Sequence, residues 1–261
     1  MGDDAVDLLF LGTGTSAGVP MIGCHCDVCT SPDPRDKRNR CSVVFRYGAG
    51  GGVNVLVDTS PELRLQCVAY DVDHIESAVY THAHADHVMG LDDLRRFNAA
   101  RQGPLDVWAD EKTHQTLDRC FGYAFVEPDP SSKLFRPHLV RRFIDAPFEI
   151  AGRTWTPIPL LHGEMPVLGF RVGGIAYCTD VSKIPDSSYP LLETLDILVL
   201  DALQKKKHTT HFSLEEAVNE AKRIGARQTW FTHIAHGLSH AATNAELPPN
   251  IQLAHDGLIV K

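Results

Sequence analysis

The sequence predicts an α/β chain folded as a two-sheet sandwich. Three observations carry the prediction. Short β-type runs recur through both halves of the 261 residues, an aromatic and proline-rich middle at 121–137 joins the halves, and polar, chemistry-bearing residues stand where strands end. The hydrophobic content of 43% is enough for a sizeable core, and no domain boundary is visible, so residues 1–261 are expected to form one domain. Two strand-rich halves imply a pseudo-duplicated sandwich, although no residue-level repeat is visible.

Residues 6–11 form the first expected strand, and Gly12-Thr13-Gly14-Thr15-Ser16-Ala17-Gly18 a tight loop after it. No G-K-[ST] follows, which disfavours a phosphate cradle. Cys24-His25-Cys26-Asp27-Val28-Cys29 then sets three thiols on one turn. That is a good start for a closed tetrahedral zinc site whose fourth ligand comes from elsewhere. Residues 32–40 are charged and turn-rich, and are expected to be a solvated loop. Residues 42–47 and 53–58 read as strands joined through the glycine run 48–52. Asp58 closes the second of them, and Pro61 suits the start of a helix over 63–70. Asp58 is expected either to orient a ligand histidine or, with Ser60, to cap that helix.

A short strand at 78–81 leads into T-H-A-H-A-D-H-V-M-G-L-D-D-L (81–94), and a helix is expected from Asp92 to Phe97. His82 and His84 are two apart, so in extended chain their rings share one side and can hold one metal ion. Asp86 and His87 are adjacent and need a turn to converge on a second. Imidazole with carboxylate suits zinc, manganese or iron.

Beyond this motif, 105–109 is a strand and 110–120 a helix. The aromatic and proline-rich stretch 121–137 is either a lid or a packed connection. Strands are expected at 148–154 and 156–161, with His162 at the end of the second. The hairpin of 167–172 and 174–179 ends at Asp180, a carboxylate able to bridge two cations. Residues 195–200 form an apolar strand ending at Asp201. Residues 213–224 form an amphipathic helix with a Ser213–Glu216 capping box, closed by Gly225. A last strand at 228–232 delivers His233 and, three residues on, His236.

Composition excludes several classes. The net charge of −8 disfavours broad nucleic-acid binding. The acidic start Met1–Asp7 lacks the basic region of a signal peptide, and no run approaches the length of a membrane span, so a soluble cytoplasmic protein is expected. Seven cysteines, three of them within six residues, read as metal ligation rather than a disulfide framework.

The H-x-H-x-D-H element after a strand, with His162, Asp180 and His233 at later strand ends, resembles the metallo-β-lactamase superfamily. The resemblance implies a four-layer αββα sandwich and a dinuclear site. One ion would be held by His82, His84 and His162, the other by Asp86, His87 and His233, with Asp180 bridging. The C-x-C-x-x-C cluster is similar to that of one branch, the phosphoribosyl 1,2-cyclic phosphate phosphodiesterases of the carbon–phosphorus lyase pathway. There the cysteines and a late histidine bind structural zinc, which implies Cys24, Cys26, Cys29 and His236 here. The segment His211–Ala217 resembles the histidine segment that serves the leaving oxygen in that branch and in transfer-RNA 3′-processing enzymes. This implies an acid role for His211, with His208 as the alternative and Asp201 as an orienting group. Asp86 would also accept a proton.

The expected activity is hydrolysis of a small cyclic phosphate ester by a hydroxide activated between two divalent ions, zinc or manganese, with one structural zinc besides. The expected partner is a small-molecule phosphodiester, with no membrane, and a homodimer is compatible with this. The alternatives are a transfer-RNA 3′-processing endoribonuclease and a non-hydrolytic protein of the PQQ-assembly type.

Overall fold

The computed structural model describes residues 5–127 and 135–261. Two seven-stranded sheets face each other. The first takes β1 (Asp7–Gly12), β2 (Ser42–Tyr47), β3 (Val53–Val57), β4 (Ser77–Val79), β5 (Leu105–Ala109) and β6 (Leu139–Phe143) in chain order. The second takes β7 (Phe148–Ile150), β8 (Arg153–His162), β9 (Met165–Val172), β10 (Ile175–Cys178), β11 (Ile197–Asp201), β12 (Gln228–Thr232) and β13 (Ile251–Leu253). The last strand, β14 (Ile259–Val260), returns to pair with β1.

The duplication is one of topology. In the first sheet β1, β2 and β3 are antiparallel, and β3 to β6 run parallel. In the second, β8, β9 and β10 are antiparallel, and β10 to β13 run parallel. β14 beside β1 occupies the place that β7 holds beside β8.

Strand alternation sorts the core into layers. Leu8 and Phe10 of β1 point between the sheets, where they join Val43, Phe45 and Val57 against Trp155, Phe170, Tyr177 and Val199. The Phe45 and Trp155 rings meet edge to face at 4.9 Å. Leu9 and Leu11 point the other way, onto α1 (Leu63–Ala69), α3 (Arg95–Arg101) and α4 (Glu111–Phe121), through Leu63, Cys67, Phe97 and Leu117. On the far side, α5 (Leu214–Ile224) buries Ala217 and Ala221 over Leu198 and Leu200. The order is therefore helix, sheet, sheet, helix, the αββα sandwich. The α5 capping box between Ser213 and Glu216 is formed, and Gly225 ends the helix at φ +71°.

Three local expectations are corrected. The strand expected at 148–154 is broken by a turn at Ala151-Gly152, with φ of +47° and +78°, which makes a hairpin of β7 and β8. β8 then runs unbroken through Pro157 and Pro159. β7 pairs only with Arg153–Trp155 and the bridge to Lys183 meets β8 only at Leu161, so at Pro157 and Pro159 β8 is an edge strand, where proline is tolerated. The helix expected at Asp92–Phe97 starts as a 3-10 turn at Leu91–Leu94 and becomes regular only in α3. The loop 32–40 is not wholly solvated. The Arg38 side chain is buried, because its guanidinium donates to Asp36 Oδ1 at 3.0 Å and to the carbonyls of Leu238 and Ala235 at 2.8 and 3.3 Å. The lid expectation at 121–137 falls partly on residues 128–134, and the acidic start partly on 1–4, all outside the described residues. Among the described residues, no helix is long and apolar enough to cross a membrane.

The turn after the central motif is held at close quarters. Gly90 donates its N–H to Thr59 O at 2.9 Å, and a Cβ built on it would stand 2.0 Å from Ser60 O. Gly90→Ala is therefore expected to push the motif away from the Thr59–Ser60 turn and to destabilise the fold by about 2–4 kcal/mol. Urea unfolding measures this, and an unchanged midpoint would show that the turn yields freely.

Candidate metal centre

The chemistry-bearing residues follow strand ends. β4 ends two residues before Thr81, and α2 (Ala85–Val88) begins right after His84. β8 ends at His162, β10 two residues before Asp180, β11 at Asp201 and β12 just before His233. Asp58, Asp180 and His233 all have left-handed backbone, at φ +62°, +51° and +57°. That conformation stops a strand abruptly and swings the next side chain out of the pleat. For a residue with a Cβ it costs on the order of 1–3 kcal/mol, which the surrounding structure must offset.

The side chains converge. His82, His84 and Asp180 offer one ligand atom each within 4.8 Å of one another, and so do Asp86, His87 and His233. Asp180 lies between the two sets. Its Oδ1 is 3.2 Å from His87 Nε2, and its Oδ2 is 3.4 Å from His233 Nε2 and 3.8 Å from His82 Nε2. His162 lies beside the first set, its ring 5.1 Å from His84 and 5.8 Å from His82, and also groups with Asp180 and His211. All seven residues expected to hold the ion pair thus come together.

Hydrogen bonds on the far side of the rings set their tautomers. Asp58 is buried and accepts from the Thr81 amide (2.9 Å), the Thr81 hydroxyl (2.8 Å) and His87 Nδ1 (2.7 Å). Since the Thr81 hydroxyl donates to Asp58, it accepts from His82 Nδ1 at 2.9 Å. His162 Nδ1 donates to the Thr210 carbonyl at 2.6 Å. Each ring therefore keeps Nε2 for the cleft. Asp58 orients rather than caps, and the Ser60 hydroxyl instead accepts from the Glu62 amide. Thr81 and Thr210 were not legible as supports, because a threonine in a loop gives no signal of what it will face.

The residues present fit a pair of cations. The Nε2 atoms of His82, His87 and His233 are buried and make no hydrogen bond, although they face carboxylates. Burial opposes charge on His87, yet Asp180 and Asp58 raise its pKa well above the usual imidazole range. Burial likewise opposes charge on Asp180, and His233 and His87 override it, holding the carboxyl ionised. A pocket negative enough to keep a proton on a buried ring is suited to a positive ion.

His211 borders this cluster. Its ring stacks on His233 at 4.5 Å and lies 4.5 Å from His162. Nδ1 is 2.7 Å from Asp201 Oδ2, which also accepts the Val181 amide at 3.0 Å. Burial brings the His211 pKa down to about 4, with His233 adding to the effect, and burial raises that of Asp201.

A second cluster joins the ends of the chain. Cys24, Cys26 and Cys29 place their sulfurs 3.2, 3.3 and 3.7 Å from His236 Nδ1. A tetrahedral zinc with bonds of about 2.3 Å to sulfur and 2.0–2.1 Å to nitrogen separates those atoms by about 3.6 Å, so the set fits. The Cys29 backbone beside Cys26 lowers that thiol from 9 to about 6, which favours the thiolate that binds metal.

A family model described as a β-lactamase superfamily domain matches residues 53–234. The crystal structure of a new diphosphatase from the PhnP family superposes with a TM-score of 0.90 at 43% identity, covering 98% of this chain and 96% of that one. An octanoyltransferase from Porphyromonas gingivalis is 35% identical over 256 residues, 96% of this chain, but the chain spans only 50% of that protein's length. A ribonuclease Z from Gemmatimonas aurantiaca is 23% identical over 79% of this chain and 86% of its own.

Proposed function

The chain belongs to the metallo-β-lactamase superfamily of metal-dependent hydrolases, in the family of the PhnP-type diphosphatase, and from that premise we propose that it hydrolyses a small phosphodiester, of which a cyclic phosphate such as phosphoribosyl 1,2-cyclic phosphate is the leading candidate. The observation that carries the reading is His211, held by Asp201 at 2.7 Å and stacked against His233 at the edge of the seven-residue cluster.

His82, His84 and His162 would hold one divalent ion, and Asp86, His87 and His233 the other, with Asp180 between them. When bound, zinc or manganese ions would supply Lewis acidity toward a phosphoryl oxygen and make water nucleophilic near neutral pH. The protein's own groups do the rest. Asp58 and Thr81 fix the rings of His87 and His82. Hydrolysis consumes one water and needs one proton on the departing oxygen. With Nδ1 committed to Asp201, His211 presents Nε2 for that delivery. Asp86, whose Oδ2 lies 3.5 Å from His87 Nε2 and 3.8 Å from His233 Nε2, would accept a proton. Both halves of the chain supply ligands, so we treat it as one hydrolytic unit. Cys24, Cys26 and Cys29 would serve as zinc thiolates, and cysteines kept for metal rather than disulfides suit the reducing cytoplasm.

The likeness to a diphosphatase at 43% identity favours a second bond type, the phosphoanhydride of a diphosphate. The net charge of −8 works against a transfer-RNA substrate. The test is a panel of cyclic phosphates, linear diesters including bis-p-nitrophenyl phosphate, and diphosphate diesters, assayed on protein loaded with zinc or manganese. Cyclic phosphates are expected to give the highest kcat/KM. A preference for diphosphates would shift the assignment to the second bond type. Inertness across the panel with the metals bound would leave a non-hydrolytic binding role of the PQQ-assembly type.

A further inference from the structure

Resting on the ion-pair reading above, we infer that Asp256 is a positioning residue for the second ion. It clamps the Gly12–Gly18 loop, and through that loop it sets the backbone that aims His233.

The Asp256 carboxylate ties together distant stretches of chain. Asp256 lies between β13 and β14, where the Ala254 amide donates to Phe231 O and the Gly257 amide to Phe10 O, both at 2.8 Å, so both sheets fix its place. Its Oδ1 accepts the Thr13 amide at 2.9 Å and the Thr13 hydroxyl at 2.8 Å. Its Oδ2 accepts the Asn39 backbone amide at 2.7 Å and the Asn39 side-chain amide at 3.1 Å. Burial of the carboxyl pushes its pKa up to about 6, so at pH 7 it is mostly ionised and suited to four donors. Asp256 thus staples the loop after β1 to the stretch before β2. The two lie close, since the Gly14 amide donates to Asn39 O at 2.7 Å and a Cβ built on Gly14 would stand 2.8 Å from Arg38 O.

The same loop holds the residue after His233. The Ile234 amide donates to Thr13 O at 2.8 Å, and the Thr15 amide donates to Ile234 O at 3.3 Å. On the other flanks, the Ala202 amide donates to Thr232 O at 3.0 Å and the Ala235 amide to Leu203 O at 2.9 Å. His233 turns between these fixed points at φ +57°. A residue with a Cβ keeps left-handed backbone only where its surroundings impose it. Residues 202–203 supply the fixed points at 232 and 235, and the glycine-rich loop supplies the one at 234. Thr13, fully buried, is the link, and Asp256 grips it by amide and hydroxyl together. Among the described residues Asp256 bonds none of the seven expected ligands, so it acts at one remove. The loop lacks the pattern of a phosphate cradle, and its backbone groups go to Ile234 and Asn39 instead.

The test counts ions rather than turnover. Wild type and Asp256→Asn, each loaded with zinc, are equilibrated against a series of zinc buffers, and the zinc retained per chain is measured. Anomalous scattering at the zinc edge shows which site has emptied. Asp256→Asn is expected to lose the ion at Asp86, His87 and His233 at about 10-fold higher free zinc than wild type, the lower end for groups that orient ligands, with the other ions within about twofold. Thr13→Ala removes one of the four bonds and is expected to give roughly a 3-fold shift at the same site, and it decides the matter if Asp256→Asn does not fold. Unaltered retention at that site overturns the positioning role. So does equal weakening at every zinc site, which is what a general loosening of the fold would give. Inertness toward phosphodiesters leaves these outcomes intact. If wild type holds no ion pair, the metal-centre reading fails, and amide hydrogen exchange decides the clamp. Faster exchange at Ile234 in Asp256→Asn, with Leu203 unchanged, supports it, and any other pattern overturns it.

Discussion

His211→Ala is expected to retain both catalytic ions and to lose about 10²–10⁴-fold in kcat, the usual worth of a positioned general acid. The geometry makes this a sharp test, because His211 has a rival role. Its ring nitrogens lie within 4.8 Å of ligand atoms from His162 and Asp180, and of others from Asp201 and His233, so it is also placed to touch a cation. The two roles part in one measurement. An acid leaves metal stoichiometry unchanged when removed, whereas a ligand takes metal with it. We expect the former, because Nδ1 is already committed to Asp201 at 2.7 Å, and His82, His84 and Asp180 on one side and Asp86, His87 and His233 on the other group without it. Burial holds the His211 pKa near 4, so the resting ring is neutral at pH 7. On the proposed reading, a bound phosphoryl group would bring negative charge against it and favour its protonated form, which would couple proton uptake to substrate binding. The loss should be smaller for an ester with a good leaving group, such as p-nitrophenolate, which needs less protonation. An equal loss for good and poor leaving groups, with metal retained, would reject the acid role.

How much of this was legible depended on whether a residue's partners lie near it in sequence. The T-H-A-H-A-D-H run could be read because its ligands are neighbours and their spacing carries the geometry. His162, Asp180 and His233 could be read from their place after apolar strands. The backbone that aims them could not, since φ of +51° at Asp180 and +57° at His233 are imposed by the packed sheets and leave no trace in composition. Arg38 read as part of a solvated loop because its charge is answered two residues earlier by Asp36 and, across the fold, by the carbonyls of Ala235 and Leu238. β6, β13, β14 and α6 (His240–Glu246) were not foreseen. The three strands are 5, 3 and 2 residues long and the helix 7, too short for a periodic pattern to rise above local noise. β14 also owes its existence to β1, some 250 residues away in the sequence.

Cys26→Ser is expected to release one zinc per chain and to lower Tm. Apart from the paired Val19–Arg38 backbone hydrogen bonds at its start and the Lys37 ammonium on the Cys29 carbonyl, the Cys-rich loop is joined to the rest of the fold chiefly through the cluster of its three cysteines with His236. Among the described residues its own apolar cluster is small, with Val19, Val28 and Cys29 buried and Met21, Cys24 and Cys26 partly buried against them, which is little to order a loop of this length. Zinc would join it to His236, three residues beyond His233, and so would tie the first turn of the chain to the strand end that carries a catalytic ligand. Removing one thiolate leaves an incomplete ligand set. A destabilisation on the order of 3 kcal/mol would lower Tm by about 6–12 °C, at about 2–4 °C per kcal/mol for a chain of this size. The protein should still fold, because Arg38 holds the same 235–238 segment through two carbonyls and does not need the ion. That second tether separates the two clusters in the experiment. The variant should keep the dinuclear ions while losing the third, with a modest fall in kcat as the His233 loop loosens. Unchanged zinc stoichiometry would reject the three-cysteine, one-histidine site. Loss of all three ions at once would show instead that the tether at Arg38 cannot hold the His233 strand end alone.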